Sequence, residues 1–118
     1  MSNTVTLPWP PKECSPNARV HHMALAKAKA RYRKFCFYET KAQKMQAPNF
    51  KPVVHIEFYP PNNRRRDLDN CLASMKAGID GMAQAIGIDD SYFTDYRLSM
   101  KKGGLSDGYV IVTLRGDE

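Results

Sequence analysis

The sequence lacks the long apolar run of a membrane-spanning helix and the cysteine patterns of a disulfide or zinc protein. No stretch approaches the ~18 consecutive apolar residues that a membrane span needs, and the first residues do not have the basic start and apolar centre of a secretion signal. Cys14, Cys36 and Cys71 are widely separated and form no Cys-x-x-Cys pair. These absences exclude a transmembrane role and predict a cytoplasmic protein with reduced thiols.

Glycine-rich phosphate loops are missing as well, and no arrangement of Ser, Cys or His predicts a covalent nucleophile. Acidic residues are scarce in the first half of the chain. Residues 1–51 hold ten Lys and Arg against two acids, a balance of +8, whereas residues 52–118 hold eight against ten, a balance of −2. Such a concentration of positive charge favours a polyanionic partner such as nucleic acid over a surface that is only soluble.

The apolar patterns predict one α+β domain in this chain of 118 residues. Alternation of apolar and polar residues over 3–7 and 52–59 predicts two strands. Residues 21–46 contain neither Gly nor Pro and predict a long basic helix, which Pro48 ends. An apolar stripe at helical spacing predicts a second, continuous helix over Asp67–Ile86, which Gly87 ends.

Residues 92–100 and 108–115 predict two further strands, and Gly103 and Gly104 suit a hairpin between them. We therefore expect the order β-α-β-α-β-β. The expected architecture is a two-layer sandwich in which two helices pack on a four-stranded mixed sheet.

Acidic residues gather around the predicted second helix. Asp67 and Asp69 lie at its start, where backbone N–H groups and the helix dipole favour acids for structural reasons alone. On a continuous helix Asp69, Lys76 and Asp80 would share one edge, beside the apolar stripe. Carboxylates next to a cation at the rim of a core are typical of a site for Mg²⁺ and phosphate.

A second acidic pair, Asp89-Asp90, follows this helix and is equally compatible with an exposed turn. Acids that are held close together repel one another unless a positive charge lies among them. A divalent ion would relieve that repulsion, and a phosphodiester bound by the basic half would complete the ligands of the ion.

The basic residues that we expect to contact DNA lie in the N-terminal half, in a loop before the second helix and between the last two strands. The run from Lys27 to Lys34 spreads around its helix, so DNA contact and a solvated surface are both compatible with it. Trp9, between prolines, is more typical of a core or interface anchor than of a base-stacking platform. The predicted contacts are Lys12, Arg19, Lys27, Arg31, Arg64, Arg65, Arg66, Lys101 and Lys102.

Four segments of the chain carry a resemblance to a known family: RRRDLDN (residues 64–70), TLPWPP (6–11), KAGIDGM (76–82) and IDD (88–90). Over almost the whole chain, this is a resemblance to the RusA family of Holliday-junction resolvases. It implies a small homodimeric endodeoxyribonuclease that depends on Mg²⁺, with Mn²⁺ as a substitute, and acts on four-way junction DNA. It also implies that Asp67, Asp69 and Asp90 bind the metal and that Lys76 is the essential lysine.

Two departures from the family pattern concern the lysine and the loop after Pro11. Lys76 follows Asp69 by seven residues, where the family spacing is four, although both spacings return to the same helix face. The loop after Pro11 lacks the Asn- and Tyr-rich character of the family.

A continuous second helix of about 30 Å would hold Asp69 and Asp90 at opposite ends. We therefore expect an intertwined homodimer in which Asp67 and Asp69 of one chain share a metal with Asp90 of the other. Two other functions are compatible with parts of the sequence. One is a non-catalytic basic nucleic-acid-binding module, in which the acids are caps and turns. The other is a nucleotide-sugar transferase with a manganese-binding Asp-Leu-Asp.

Overall fold

The computed structural model describes residues 3–116 as a four-stranded mixed sheet and three α-helices. The strands are β1 (Thr4–Pro8), β2 (Val53–Tyr59), β3 (Tyr96–Met100) and β4 (Tyr109–Arg115), and the helices are α1 (His22–Ala42), α2 (Leu68–Ser74) and α3 (Lys76–Ala85). Short 3₁₀ helices lie at Lys12–Cys14 and Asp90–Tyr92. The predicted α+β class and mixed sheet are confirmed, but the second predicted helix is divided in two.

The strands are ordered β1-β4-β2-β3, with β4 antiparallel to both of its neighbours and β3 parallel to β2. The predicted hairpin between the last two strands is therefore wrong. After β3 the chain passes β2 and places β4 inside the sheet, so Gly103 and Gly104 lie in a crossover connection. A Cβ at Gly103 would overlap the carbonyl oxygen of Asn62, which explains why this position has no side chain.

Alternate residues of the strands form the core together with the helices. In β2 the side chains of Val54, Ile56 and Phe58 are buried, whereas the alternating polar-face residues His55, Glu57 and Tyr59 are only half-buried. Tyr32 of α1 and Met82 of α3 belong to the same apolar cluster. The strand periodicity that the sequence predicts for β2 is therefore confirmed.

Helix α1 ends at Ala42, earlier than the predicted end at residue 46. The side chain of Gln43 accepts a hydrogen bond from the Thr6 N–H at 2.8 Å and donates one to the Thr6 carbonyl at 2.7 Å. Lys44 then takes a left-handed φ of 60°, which cannot continue a right-handed helix. The end of α1 is thus fixed by its attachment to β1.

The predicted helix over Asp67–Ile86 breaks at Met75, so the prediction of one continuous helix is wrong. Met75 has φ −104° and ψ 9°, outside the helical region. The Ser74 hydroxyl donates to the Asn70 carbonyl at 2.8 Å, a contact that often bends helices. Met75 is fully buried, whereas Leu68 of the same predicted stripe is 36% exposed. The break therefore directs the start of α3 into the core.

Gly78 and Gly81 allow α1 and α3 to approach closely. A Cβ at Gly78 would lie 2.6 Å from Cε2 of Tyr32, and a Cβ at Gly81 would overlap the backbone carbonyl oxygen of Arg33. Gly87 follows α3 with φ +81°, which confirms it as the predicted stop.

The strand predicted from residue 92 begins later, at Tyr96, because the 3₁₀ helix Asp90–Tyr92 precedes it. Cys14, Cys36 and Cys71 are free thiols, as predicted, and the structure buries all three; burial raises the pKa of Cys36 to about 12. Within residues 3–116, no helix is long and apolar enough to cross a membrane.

Candidate active site and nucleic-acid interface

Three connections meet at one edge of the sheet because of the strand directions. β1, β2 and β3 end at this edge, and β4 begins there, since Tyr59 pairs with Tyr109 and Pro8 also pairs with Tyr109. The segment after β1, the loop after β2 and the crossover after β3 therefore start from the same side of the sheet. We name this side the basic edge because each of the three connections carries Lys or Arg.

A cavity of about 770 Å³ lies between the segment after β1 and the loop after β2. Trp9 contributes to its wall, as do Asp67, which precedes α2, and the α2 residues Asn70, Cys71 and Ser74. Its basic lining residues are Lys12, Arg19, Arg64, Arg65 and Arg66. Five of the nine predicted DNA contacts therefore line one cavity, which we name the basic groove.

The other four predicted DNA contacts lie outside the residues that line this groove. Lys27 and Arg31 are exposed on α1. Lys102 is exposed in the crossover after β3, and the Lys101 ammonium lies 3.6 Å from the carboxylate of Glu57 on β2. Lys101 and Lys102 share the basic edge with the groove, whereas Lys27 and Arg31 lie on α1 and do not line it.

Asp67 occupies the position before α2 in an extended conformation, with φ −92° and ψ 137°. Its side chain makes no capping hydrogen bond to the helix. The structure thus places Asp67 at the cap position of α2, as the structural interpretation expects, but the exposed carboxylate makes no capping contact there. Asp69 is exposed in the first turn of α2 but does not line the groove.

A second group of acids lies around the junction of α3 with the 3₁₀ helix. The carboxyl groups of Asp80 and Asp90 are hydrogen-bonded to each other, and this contact, followed by burial and by the charge of Asp80, raises the pKa of Asp90 to about 6. Burial and then the charges of Asp90 and Asp80 raise the pKa of Tyr96. The Lys76 ammonium lies 6.0 Å from the centroid of the Tyr96 ring.

The predicted site residues thus form two groups at opposite edges of the sheet. Asp67 lies beside the basic edge, where β2 ends. Asp90 precedes β3, and the start of β3 is joined to the start of β2 by a hydrogen bond from Val54 N–H to the Asp95 carbonyl at 2.8 Å. Between residues 3 and 116, no three His, Cys, Asp or Glu side chains are close enough together to hold a metal ion.

The break at Met75 also separates the edge that was predicted for Asp69, Lys76 and Asp80. Asp69 belongs to α2, while Lys76 and Asp80 are one turn apart on α3. The continuous helix on which the common edge depends is therefore wrong, while Lys76 and Asp80 still share one face of α3. Sequence reasoning missed Tyr96, whose position depends on the pairing of β3 with β2.

The relatives of this chain decide its family. A protein of Enterobacteria phage 82 and one of Escherichia coli K12, both named crossover junction endodeoxyribonuclease RusA, are each 32% identical to it. The alignments cover 97% and 98% of this chain and 96% and 97% of the relatives. The chain belongs to the RusA family.

Another relative of this RusA family member is an uncharacterized protein of Xylella fastidiosa. It is 37% identical over 119 residues, which cover 96% of this chain and 76% of that protein. No family model matches the sequence. The family assignment therefore rests on full-length similarity to the named relatives, and it agrees with the resemblance seen in the motifs.

Proposed function

We propose that this protein is a structure-selective endodeoxyribonuclease that depends on Mg²⁺ and resolves Holliday junctions in DNA recombination and repair. The observation that carries this proposal is the full-length similarity to proteins named crossover junction endodeoxyribonuclease. The basic groove supports it independently, because five cations around one cavity suit a phosphodiester backbone. We propose that the protein is cytoplasmic and acts on DNA there.

In this proposal the exposed side chains of Arg64 and Arg65 contact DNA phosphates at the groove. Guanidinium groups bind phosphate with two parallel hydrogen bonds, and this geometry fixes the position of a strand. Lys12 and Arg19 extend the same surface on the other side of the groove. The scissile phosphate would then lie near Asp67, which shares the wall of the groove.

The acidic residues have the donor chemistry of a magnesium site. Mg²⁺ prefers carboxylate and water oxygens, which Asp67, Asp69 and Asp90 offer. The contact with Asp80, followed by burial, raises the pKa of Asp90 to about 6, as expected for a carboxyl that is held close to another acid. A bound divalent ion would supply Lewis-acid polarisation of the phosphate and a source of hydroxide near neutral pH.

We further propose that a complete set of metal ligands needs two chains. Asp67 and Asp69 lie beside the basic edge and Asp90 at the opposite edge, separated by the length of strands that rise roughly 3.3 Å per residue. A two-fold axis that joins the basic edge of one chain to the acidic edge of its partner would bring the three acids together twice. The homodimer would then carry two sites, one for each of two opposed strands of a junction.

Lys76 lies in the same group as Asp90 and would enter the composite site from that chain. Its ammonium would stabilise the charge that develops on the phosphate during hydrolysis. This role differs from a direct contact with Asp69, which belongs to the other side of the break at Met75.

The test is incubation with a synthetic four-way junction with Mg²⁺, with Mn²⁺ and with EDTA, beside a linear duplex of the same sequence. We expect paired cuts in the junction with either metal, none with EDTA and none in the duplex. Binding of the junction without cleavage under any of these conditions would instead support a non-catalytic nucleic-acid-binding module.

A further inference from the structure

Arg66 differs from the two arginines that precede it. Arg64 and Arg65 are exposed, whereas Arg66 is half-buried and engaged with its own loop. Its Nη1 donates to the carbonyl oxygens of Asn62 at 3.0 Å and of Arg64 at 3.1 Å. A single guanidinium nitrogen therefore joins the start and the middle of the arginine loop, which we define as residues 62–66.

Trp9 fixes the position of this guanidinium. The Arg66 side-chain carbon Cζ lies 5.5 Å from the centroid of the Trp9 ring, within the range of a cation–π contact. The Trp9 ring in turn meets the ring of Phe58 edge-on, with centroids 6.1 Å apart, and Phe58 is fully buried in the core. The arginine loop is therefore connected to the rigid core by a series of contacts through Trp9 and Arg66.

The first half of the arginine loop has a different support. The Asn63 side chain accepts a hydrogen bond from Gly103 N–H at 2.9 Å, and the Pro60 carbonyl accepts one from Gly104 N–H at 3.0 Å. These bonds attach the loop to the crossover after β3. Within the loop the Arg64 N–H also donates to Oδ1 of Asn62 at 3.0 Å, but among the described hydrogen bonds only the side chain of Arg66 joins its last residue to the rest of the loop.

We propose that Trp9 and Arg66 form a positioning pair, in which Arg66 shapes the arginine loop so that Arg64 and Arg65 contact DNA. The inference rests on the proposed binding of junction DNA. Arg66 then affects DNA affinity through the positions of Arg64 and Arg65. Loss of the uncharged Trp9 ring would likewise change the salt dependence of DNA binding, because it would release Arg66. A lysine cannot replace Arg66, because an ammonium lacks the planar fork that stacks on a ring while bonding two carbonyls.

The contact itself can be tested without DNA because Trp9 is the single tryptophan of the chain. We expect Arg66→Gln to uncover the indole ring and to raise the quenching of tryptophan fluorescence by acrylamide. Arg65→Gln removes the same charge from an exposed neighbour and serves as the matched control, which we expect to leave quenching unchanged. Equal quenching in the two variants would show that Arg66 does not cover Trp9.

The positioning role is tested by the salt dependence of junction binding. Loss of one phosphate contact lowers the slope of log affinity against log salt by about 0.9. We expect Arg65→Gln to do so and Trp9→Leu to lower the slope at least as much, with affinity reduced about threefold to thirtyfold. In the Trp9→Leu background Arg65→Gln should have less effect than in the wild type, and Trp9→Phe should restore the slope.

An unchanged slope in Trp9→Leu, with effects that add to those of Arg65→Gln, would overturn the positioning role. It would indicate that Trp9 contacts DNA itself or only stabilises the core, and thermal unfolding of each variant separates these cases. A wild-type protein that binds no junction would contradict the proposed function instead, while the quenching comparison would still report on the contact of Arg66 with Trp9.

Discussion

Asp89 and Asp90 are neighbours with opposite electrostatic environments. Asp89 accepts a hydrogen bond from Ser91 N–H at 2.9 Å, which lowers the pKa of its carboxyl, whereas the contact with Asp80 raises the pKa of Asp90 to about 6. A raised carboxyl pKa means that the folded state holds the proton of Asp90 more tightly than the unfolded state does. The protonated carboxyl therefore stabilises the fold at low pH, and this stabilisation is lost as the pH rises through about 6.

We therefore expect Asp90→Asn to raise the melting temperature of the metal-free protein by a few degrees at about pH 8 and to have little effect at about pH 3.5, below the ordinary carboxyl pKa. Asp89→Ala, the neighbouring control, should lower it at about pH 8, because it removes a stabilising cap. Thermal unfolding in EDTA at both pH values measures the two effects. A similar gain from Asp90→Asn at both pH values would contradict the assigned cause.

Although Asp90→Asn should raise thermal stability, it should lower the activity of the protein. We expect Asp67→Asn, Asp69→Asn and Asp90→Asn each to reduce junction cleavage by at least about 100-fold, the scale on which removal of one group that stabilises a transition state acts. Junction binding should be unchanged or tighter, because a negative charge near the phosphate is lost. Cleavage and gel-shift assays on the same preparations measure both.

The exposed residue Asp95 supplies the control for these three acids, since Asp95→Asn removes a charge near the start of β3 without touching the proposed ligands. It should keep wild-type activity. An acid whose variant retains near-full activity with Mg²⁺ does not belong to the site.

Among the elements, the packing of α1 on α3 depends on Gly81. Because a Cβ there would overlap the Arg33 carbonyl oxygen, Gly81→Ala has to push the two helices apart. We expect it to lower the free energy of unfolding by about 1–3 kcal/mol or more. Gly116→Ala is the matched control, since the nearest atom to its Cβ, Cε1 of Phe50, would be 3.9 Å away. Urea denaturation compares the two, and equal stabilities would show that close helix contact does not limit this position.

The sequence predicts the elements well and their arrangement less well, for physical reasons. Alternation in β2 and helical composition in α1 are local signals, and both elements lie close to their predicted bounds. The break at Met75 depends on a side-chain hydrogen bond of Ser74 and on burial in a core that the sequence does not display. The predicted hairpin is wrong because β4 pairs with β1 and β2, which are distant in sequence, and no local pattern of residues indicates such long-range pairing.

At the scale of the whole molecule, the strand order decides where the candidate site residues lie. The RRRDLDN motif follows β2 and therefore lies at the basic edge, and the IDD motif precedes β3 and lies at the opposite edge. The motifs identify these residues in the sequence, but their separation follows from the parallel pairing of β2 with β3. The prediction of a site shared between two chains assumes a straight helix; in the broken helix, the separation of the two motifs across the sheet supports the same arrangement.

A mixture of inactive variants tests the shared site directly. Asp69→Asn and Asp90→Asn chains that exchange subunits form heterodimers in roughly half of the dimers, and each heterodimer regains one intact composite site. We expect this mixture to nick one strand of a junction. The control mixture of Asp67→Asn with Asp69→Asn should stay inactive, because both changes fall on the same contributing group.

If differently tagged heterodimers are isolated and the first mixture still produces no nicks, the acids of a single chain must assemble by themselves. Asp67 and Asp69 would then have to reach Asp90 past α3, which requires a rearrangement at the Met75 break.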